Sequence, residues 1–424
     1  MLKLPVEYNV IPDALPRLAA LALLFLIVFG GLYRRYIVSV FDPLFVFTFT
    51  TAFASVLVVE VLKTPSPIIH FFVCQLCLFA GFASVRPVAD ITPTGPESQP
   101  AHEVDRLRLM LYGFLGLYIA ANLIVFSVNG IPLLSPVPTS AKVAYFKDGF
   151  GLVRKINWTI GGFLITGLLY LYLLEKKRLY LMGLGLVAVG LVFEGSKSSL
   201  LRIIFAFTLL VYHPLLRSQT RLLKSFRRFI PYGIGALAVV FLGILSRENN
   251  GLTSALSAFL KRLLYSGDPV LYYYLPVNQI HFAEYGPADY LTYVTNQITG
   301  FLRLTPYWDA FGNVMLRNIL PPGTPPDQYV GPNTPFYIEG QIFFGYFGAF
   351  ILSGILGVLV GGIRRMYFRY RGASAFWFIF LCYLCQIATT LFIDTRMGVG
   401  FLFDVFVFIL PVYWVMRLVT GYFR

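Results

Sequence analysis

Long apolar stretches alternate with short polar ones along almost the whole chain. Eleven of them approach the roughly 20 apolar residues that a helix needs to cross a bilayer. They cover about 15–33, 43–62, 66–84, 107–128, 157–174, 179–193, 198–213, 229–246, 340–362, 373–393 and 398–417. The runs are continuous rather than alternating, which favours helices over a β-barrel. The first run, 15–33, is too long for the apolar part of a signal peptide and has no small-residue cleavage pattern, so it counts as a span. The pattern predicts an all-α polytopic membrane protein with about 11 transmembrane helices and one long, partly helical outward loop. Three regions follow: spans one to eight in 1–246, the loop in 247–339, and spans nine to eleven in 340–424.

Inside the loop the apolar spacing is helical. Leu252, Leu256, Leu260 and Leu264 form a stripe over Leu252–Tyr265, with Lys261 and Arg262 off it. Asp289–Leu304 and Trp308–Leu320 are further candidate helices, and Pro321 to Pro326 then enforces an extended segment. Tyr265, Tyr272, Tyr273, Tyr274, Tyr285, Tyr290 and Tyr293 suit a layer at headgroup level. The loop interrupts any mirror relation between the halves, which counts against an inverted-repeat transporter.

Charge orients the spans. The chain is 13% charged, against about 25% in soluble domains. Its net charge of +14 is scattered through short loops, which fits anionic lipid and not nucleic acid. Arg34-Arg35, Lys176-Lys177-Arg178, the run from Arg217 to Arg228, and Arg364-Arg365 with Arg369 and Arg371 all fall on one side of the predicted membrane. That side is cytoplasmic by the positive-inside rule, so the N-terminus lies outside and the C-terminus inside. Segments 129–157, 194–202, the long loop and 394–396 then face outward. Cys74-x-x-Cys77 and Cys382-x-x-Cys385 lie within apolar runs, where packing explains the spacing and zinc does not.

Ionisable groups near the membrane need a reason. Ser198 and Arg202 share a helix face with Lys197 just above, a serine-rich helix start with two cations suited to phosphate. Arg247 and Glu248 mark the end of span eight. Asp394 and Arg396 occupy a very short outward loop and can pair with each other. Asp404 lies deep in span eleven and calls for a buried partner, Arg396 or a residue of span seven. His281 is the one histidine of the long loop and a candidate base. No Gly-rich phosphate loop, Ser–His–Asp grammar, DxD pattern in the outward loops, or HExxH motif is present.

Three segments stand out together: Gly130-Ile131-Pro132-Leu133-Leu134, Gly195-Ser196-Lys197-Ser198-Ser199, and Asn333-Thr334-Pro335 followed by Gly340 and Phe344-Gly345-Tyr346-Phe347-Gly348. With the long outward loop they resemble the Wzy-type O-antigen polymerases, which are similar in plan to the O-antigen ligases. Lys197 stands where the family more often has arginine. The resemblance implies a glycosyltransferase of the bacterial inner membrane, in lipopolysaccharide biosynthesis. It would move a growing glycan from undecaprenyl diphosphate to the non-reducing end of a new lipid-linked repeat unit on the periplasmic face. The implied reaction uses neither a cofactor nor a metal. Expected partners are the undecaprenyl-diphosphate-linked oligosaccharide, membrane lipid and a chain-length regulator protein. Lys197, Arg202 and Arg247, with Arg303, Arg317 and Arg396, would hold the diphosphate. Glu339, Glu248 or His281 would be the base. Asn333, Thr334 and Tyr273 would handle sugar. An O-antigen ligase-type transferase and a lipid-linked oligosaccharide flippase are the rival expectations.

Overall fold

The computed structural model describes residues 15–62, 64–87, 100–135, 151–194, 201–217, 235, 263, 265–321, 323 and 331–422. They are mostly helical and hold no strand. The helices are α1 (Leu15–Tyr33), α2 (Pro43–Val61), α3 (Pro65–Ser84), α4 (Ala101–Asn129), α5 (Gly151–Glu175), α6 (Arg178–Phe193) and α7 (Leu201–Tyr212). Next come α8 (Asp268–Tyr273), α9 (Pro276–Phe282), α10 (Pro287–Thr299), α11 (Phe311–Ile319), α12 (Phe336–Arg369), α13 (Ala375–Ala388), α14 (Thr395–Phe408) and α15 (Leu410–Tyr422). Short helical turns occupy Pro214–Arg217 and Thr390–Ile393.

Among the described residues, seven helices are long and apolar enough to cross a membrane, and α1, α6 and α7 are shorter apolar helices. Each falls on a predicted span, and together they make the chain a multi-pass membrane protein. Predicted span 229–246 lies outside the described residues, apart from Gly235, as do Lys197, Arg247, Glu248 and most of the expected helix 252–265.

The chain forms two compact units, each drawn from separated stretches. One holds Met1–Pro87, Leu260–Gly362 and Ala388–Gly400. Here α1 packs on α2, which also receives α8. Asp42 caps α2, accepting the Leu44 N–H at 3.0 Å, with Pro43 at the first helical position. Helix α3 crosses α12 along glycines. A Cβ at Gly81 would lie 2.0 Å from the Gly354 carbonyl oxygen, and one at Gly357 would lie 2.2 Å from that of Leu78. Such a seam lets two backbones touch where lipid offers no hydrophobic drive for association.

Helix α12 is not straight. Gly345 sits at φ 69° and ψ −173°, outside helical space. A Cβ on Gly340 would meet the Ala349 Cα at 2.8 Å, whereas those residues lie about 13 Å apart in a straight helix. The chain therefore doubles back at Gly345. The expected span 340–362 is corrected accordingly: the straight part begins at about 346, and Glu339 belongs to a short helix ahead of the break.

The other unit holds Val88–Phe259, Ile363–Ile387 and Phe401–Arg424. Its axis is α5, buried around nearly its whole circumference, with α4, α6 and α7 against it. Tyr118 of α4 wedges between Gly161 and Gly190 and donates to the Val187 carbonyl at 3.2 Å. Asp404 finds its buried partner here. Lys155, in the first turns of α5, reaches both carboxylate oxygens at 2.7 and 2.9 Å. Neither Arg396 nor a span-seven residue takes that place. Lys155 falls in the expected outward segment 129–157, but the helix starts at Gly151 and carries its side chain inward.

Candidate functional site

The long loop supplies four helices to the first unit, and aromatic packing joins them. Tyr293 of α10 stacks on Phe311 of α11 with ring centroids 4.1 Å apart, and Phe343 lies 5.4 Å from Phe311. Tyr285 and Tyr290 pack on Phe343 from edge-on positions. Several tyrosines expected at headgroup level are thus core residues: Tyr272, Tyr273 and Tyr293 are buried. Burial pushes the Tyr273 hydroxyl up to about 12. It also raises those of Tyr290 and Tyr293, where the neighbouring Glu339 carboxylate adds to the effect.

Helix limits here differ from the sequence expectation. Gly286 and Pro287 open α10, with Asp289 accepting the Gly286 N–H at 2.9 Å. The helix stops at Thr299 and not at Leu304, because Arg303 adopts the left-handed region at φ 57° in the turn that follows. Helix α11 starts at Phe311 and not at Trp308, whose backbone is engaged by other side chains. Segment 331–335 is pinned to α11. The Gly331 N–H donates to Asn313 Oδ1 at 2.8 Å, and a Cβ on Gly312 would meet the Pro332 carbonyl oxygen at 1.6 Å.

These elements gather a buried polar cluster. Glu339, from the first turn of α12, has no measurable exposure. Its carboxylate is turned toward the Thr395 hydroxyl and the backbone N–H groups of Thr395 and Arg396, at the start of α14. Helix N-termini favour negative charge. Asp394 caps α14, accepting the Met397 N–H at 2.7 Å. Burial raises the Asp394 carboxyl above its ordinary value, while the Met397 and Thr334 N–H groups and the Arg396 charge oppose the rise.

Arg396 is 1% exposed. The expected pair with Asp394 does not form. Arg396 Nη2 instead donates to Asn296 Oδ1 at 3.0 Å and to the Trp308 carbonyl. The rings of Tyr293 and Tyr307 each lie 5.1 Å from the guanidinium carbon. Among the described residues, Nε and Nη1 of Arg396 and the buried Thr334 hydroxyl have no hydrogen-bond partner, and the Glu339 oxygens meet only the start of α14. Buried polar groups are nearly always bonded, so this concentration of donors and acceptors makes the cluster the candidate site.

Glu339, Thr334 and Arg396 are thereby brought together with Asp394, within one unit. The other expected residues stand apart from that cluster. Asn333 is exposed beside Thr334, and Tyr273 is core. Arg317 is exposed and pairs with Asp309. Arg303 is exposed on its turn. His281 is half-buried against Phe282 and Tyr285. Arg202 belongs to the second unit, where it donates to the Trp158 carbonyl at 3.0 Å and lies over the Phe401 ring. Sequence reasoning missed Asn296, a fully buried amide on the apolar face of α10, one helical turn from Tyr293. A polar residue on the buried stripe of an amphipathic helix is the signal that could have found it. No protein-family model matches the chain, and neither a curated protein nor a solved structure is matched by it.

Proposed function

We propose that the chain is a polymerase of lipid-linked polysaccharide repeat units at the periplasmic face of the bacterial inner membrane. The observation that supports this best is the mixture of donors and acceptors in the buried cluster. Two carboxylate oxygens of Glu339 accept, two nitrogens of Arg396 donate, and the Thr334 hydroxyl does either. That alternation complements vicinal hydroxyls of a sugar, each both donor and acceptor, better than it complements a bare anion.

In this reading the acceptor hydroxyl of the lipid-linked repeat unit gives its proton to Glu339. Its oxygen bonds to the anomeric carbon of the growing glycan, and the bond from that carbon to the diphosphate breaks, leaving the electron pair on the diphosphate. Arg396 and Thr334 orient neighbouring hydroxyls. Glu339 and Asp394 together outnumber the single cation beside them, so the leaving diphosphate needs cations held elsewhere.

The test is glycan profiling in cells lacking the gene, complemented with variants. Glu339→Gln should slow polymerisation by about 10²–10⁴-fold and leave single repeat units on the acceptor at normal protein level. Wild-type chain lengths from Glu339→Gln would sink the assignment. In the deletion itself, lipid-linked polymer would point to a ligase, and repeat units left on the cytoplasmic face would point to a flippase.

A further inference from the structure

We infer that Asn296 is the positioning residue that sets Arg396 for sugar binding. This rests on the sugar-handling reading of the cluster. Asn296 has no measurable exposure, and its amide is used to capacity. Oδ1 accepts the Trp308 N–H at 2.7 Å and Arg396 Nη2 at 3.0 Å. Nδ2 donates to the Pro306 carbonyl at 2.8 Å and to Thr305 Oγ1 at 3.2 Å. Four bonds saturate an asparagine side chain.

Those four bonds join two things. Three go to the segment 305–308, and the fourth goes to Arg396. The same segment supplies the Trp308 carbonyl that takes the other Nη2 bond, and the Tyr307 ring beside the guanidinium. Arg396 is therefore gripped by one nitrogen through Asn296 and the segment that Asn296 holds. Its Nε and Nη1 donors are left open in a buried setting. A guanidinium with long side-chain freedom becomes a fixed set of donors, and fixing such donors before the ligand arrives removes the ordering cost from binding. Asn296 itself has no capacity left for a ligand, so its effect passes through Arg396.

The experiment uses the purified full-length protein in lipid nanodiscs. The probe is the lipid-linked single repeat unit extracted from cells lacking the gene. Arg396→Ala and Asn296→Ala should each weaken binding by about tenfold, and the double variant by no more than about twofold beyond Arg396→Ala alone, as expected of residues acting through one contact. If Asn296→Ala does not accumulate, Asn296→Asp replaces it. That variant keeps the acceptor toward Trp308 but loses both donor bonds to 305–306 and sets a carboxylate against Arg396, so the same weakening and the same non-additivity are expected. Wild-type affinity in the Asn296 variant overturns the role, and so does an undiminished Asn296 effect in the Arg396→Ala background, which would mark Asn296 as a fold residue alone. If the deletion cells yield no single repeat unit, either on the lipid or on the acceptor, the polymerase reading itself fails and takes this role with it.

Discussion

Asp394 does two jobs that pull in opposite directions, and substitutions can separate them. Its oxygen caps α14 through the Met397 N–H, and its burial raises the carboxyl above the ordinary value. A raised carboxyl binds its proton more tightly in the folded chain than in the unfolded one. Its contribution to stability is full below the unfolded value of about 3.9 and is lost as pH rises through the folded value. Asp394→Asn keeps the cap and cannot ionise. Melting curves in detergent should show this variant close to wild type near pH 4 and increasingly more stable toward pH 7. A constant difference across that range would refute the burial effect. Asp394→Ala removes the cap and should lose about 1 kcal/mol at every pH. Sequence legibility at this scale followed charge. Asp394 and Arg396 stood out because a charge in an apolar chain needs an explanation, and Glu339 entered through the family resemblance. Asn296 carries no charge and hid within an ordinary amphipathic helix. The Asp394–Arg396 pairing was misread because nearness in sequence says little about which way two side chains leave a helix start.

At the scale of elements, hydrophobic runs located the helices well and their interruptions badly. Span-length apolarity continues across Gly345, so nothing in the run shows that the chain doubles back there. The cost of altering that glycine is torsional, since a Cβ at Gly345 would have nothing within 4 Å. The cost at Gly357 is steric, with the Leu78 carbonyl oxygen 2.2 Å from the added carbon. The two mechanisms predict different series. At Gly345, positive φ with extended ψ is essentially a glycine conformation, so alanine and asparagine should cost alike and side-chain size should matter little. At Gly357 even alanine should cut accumulation of folded protein, because backbone cannot yield. Gly362, also open within 4 Å, is the control: alanine there should be neutral or raise the melting temperature through helix propensity. Equal tolerance of alanine at 357 and 362 would refute the α3–α12 seam. Helices α10 and α11 were displaced at their facing ends for a related reason. The residues between them are held by side chains of Asn296 and Arg396, a tertiary effect that outweighs local periodicity.

For the molecule as a whole, the two units assemble from stretches far apart in sequence, and the buried ion pair of the second shows what that does to legibility. Asp404 announced that it needs a partner, but that partner is Lys155, 249 residues away. Composition and spacing carry no information about such a pairing. The side chains of Lys155 and Asp404 are 8% and 6% exposed, so each charge depends on the other for its solvation. Removing one takes away the other's closest counter-charge, at a cost of about 3–5 kcal/mol, whereas replacing both with apolar groups of similar size is often neutral. Lys155→Met and Asp404→Leu should therefore each reduce folded protein in the membrane, and the double variant should recover most of the loss. Nothing in the proposed chemistry passes through this pair, so the recovered double variant should also make glycan of normal length. A double variant that is folded yet yields single repeat units would move Lys155 and Asp404 from the frame of the protein into its working site. A double variant no better folded than either single one would show that the pair does more than neutralise itself.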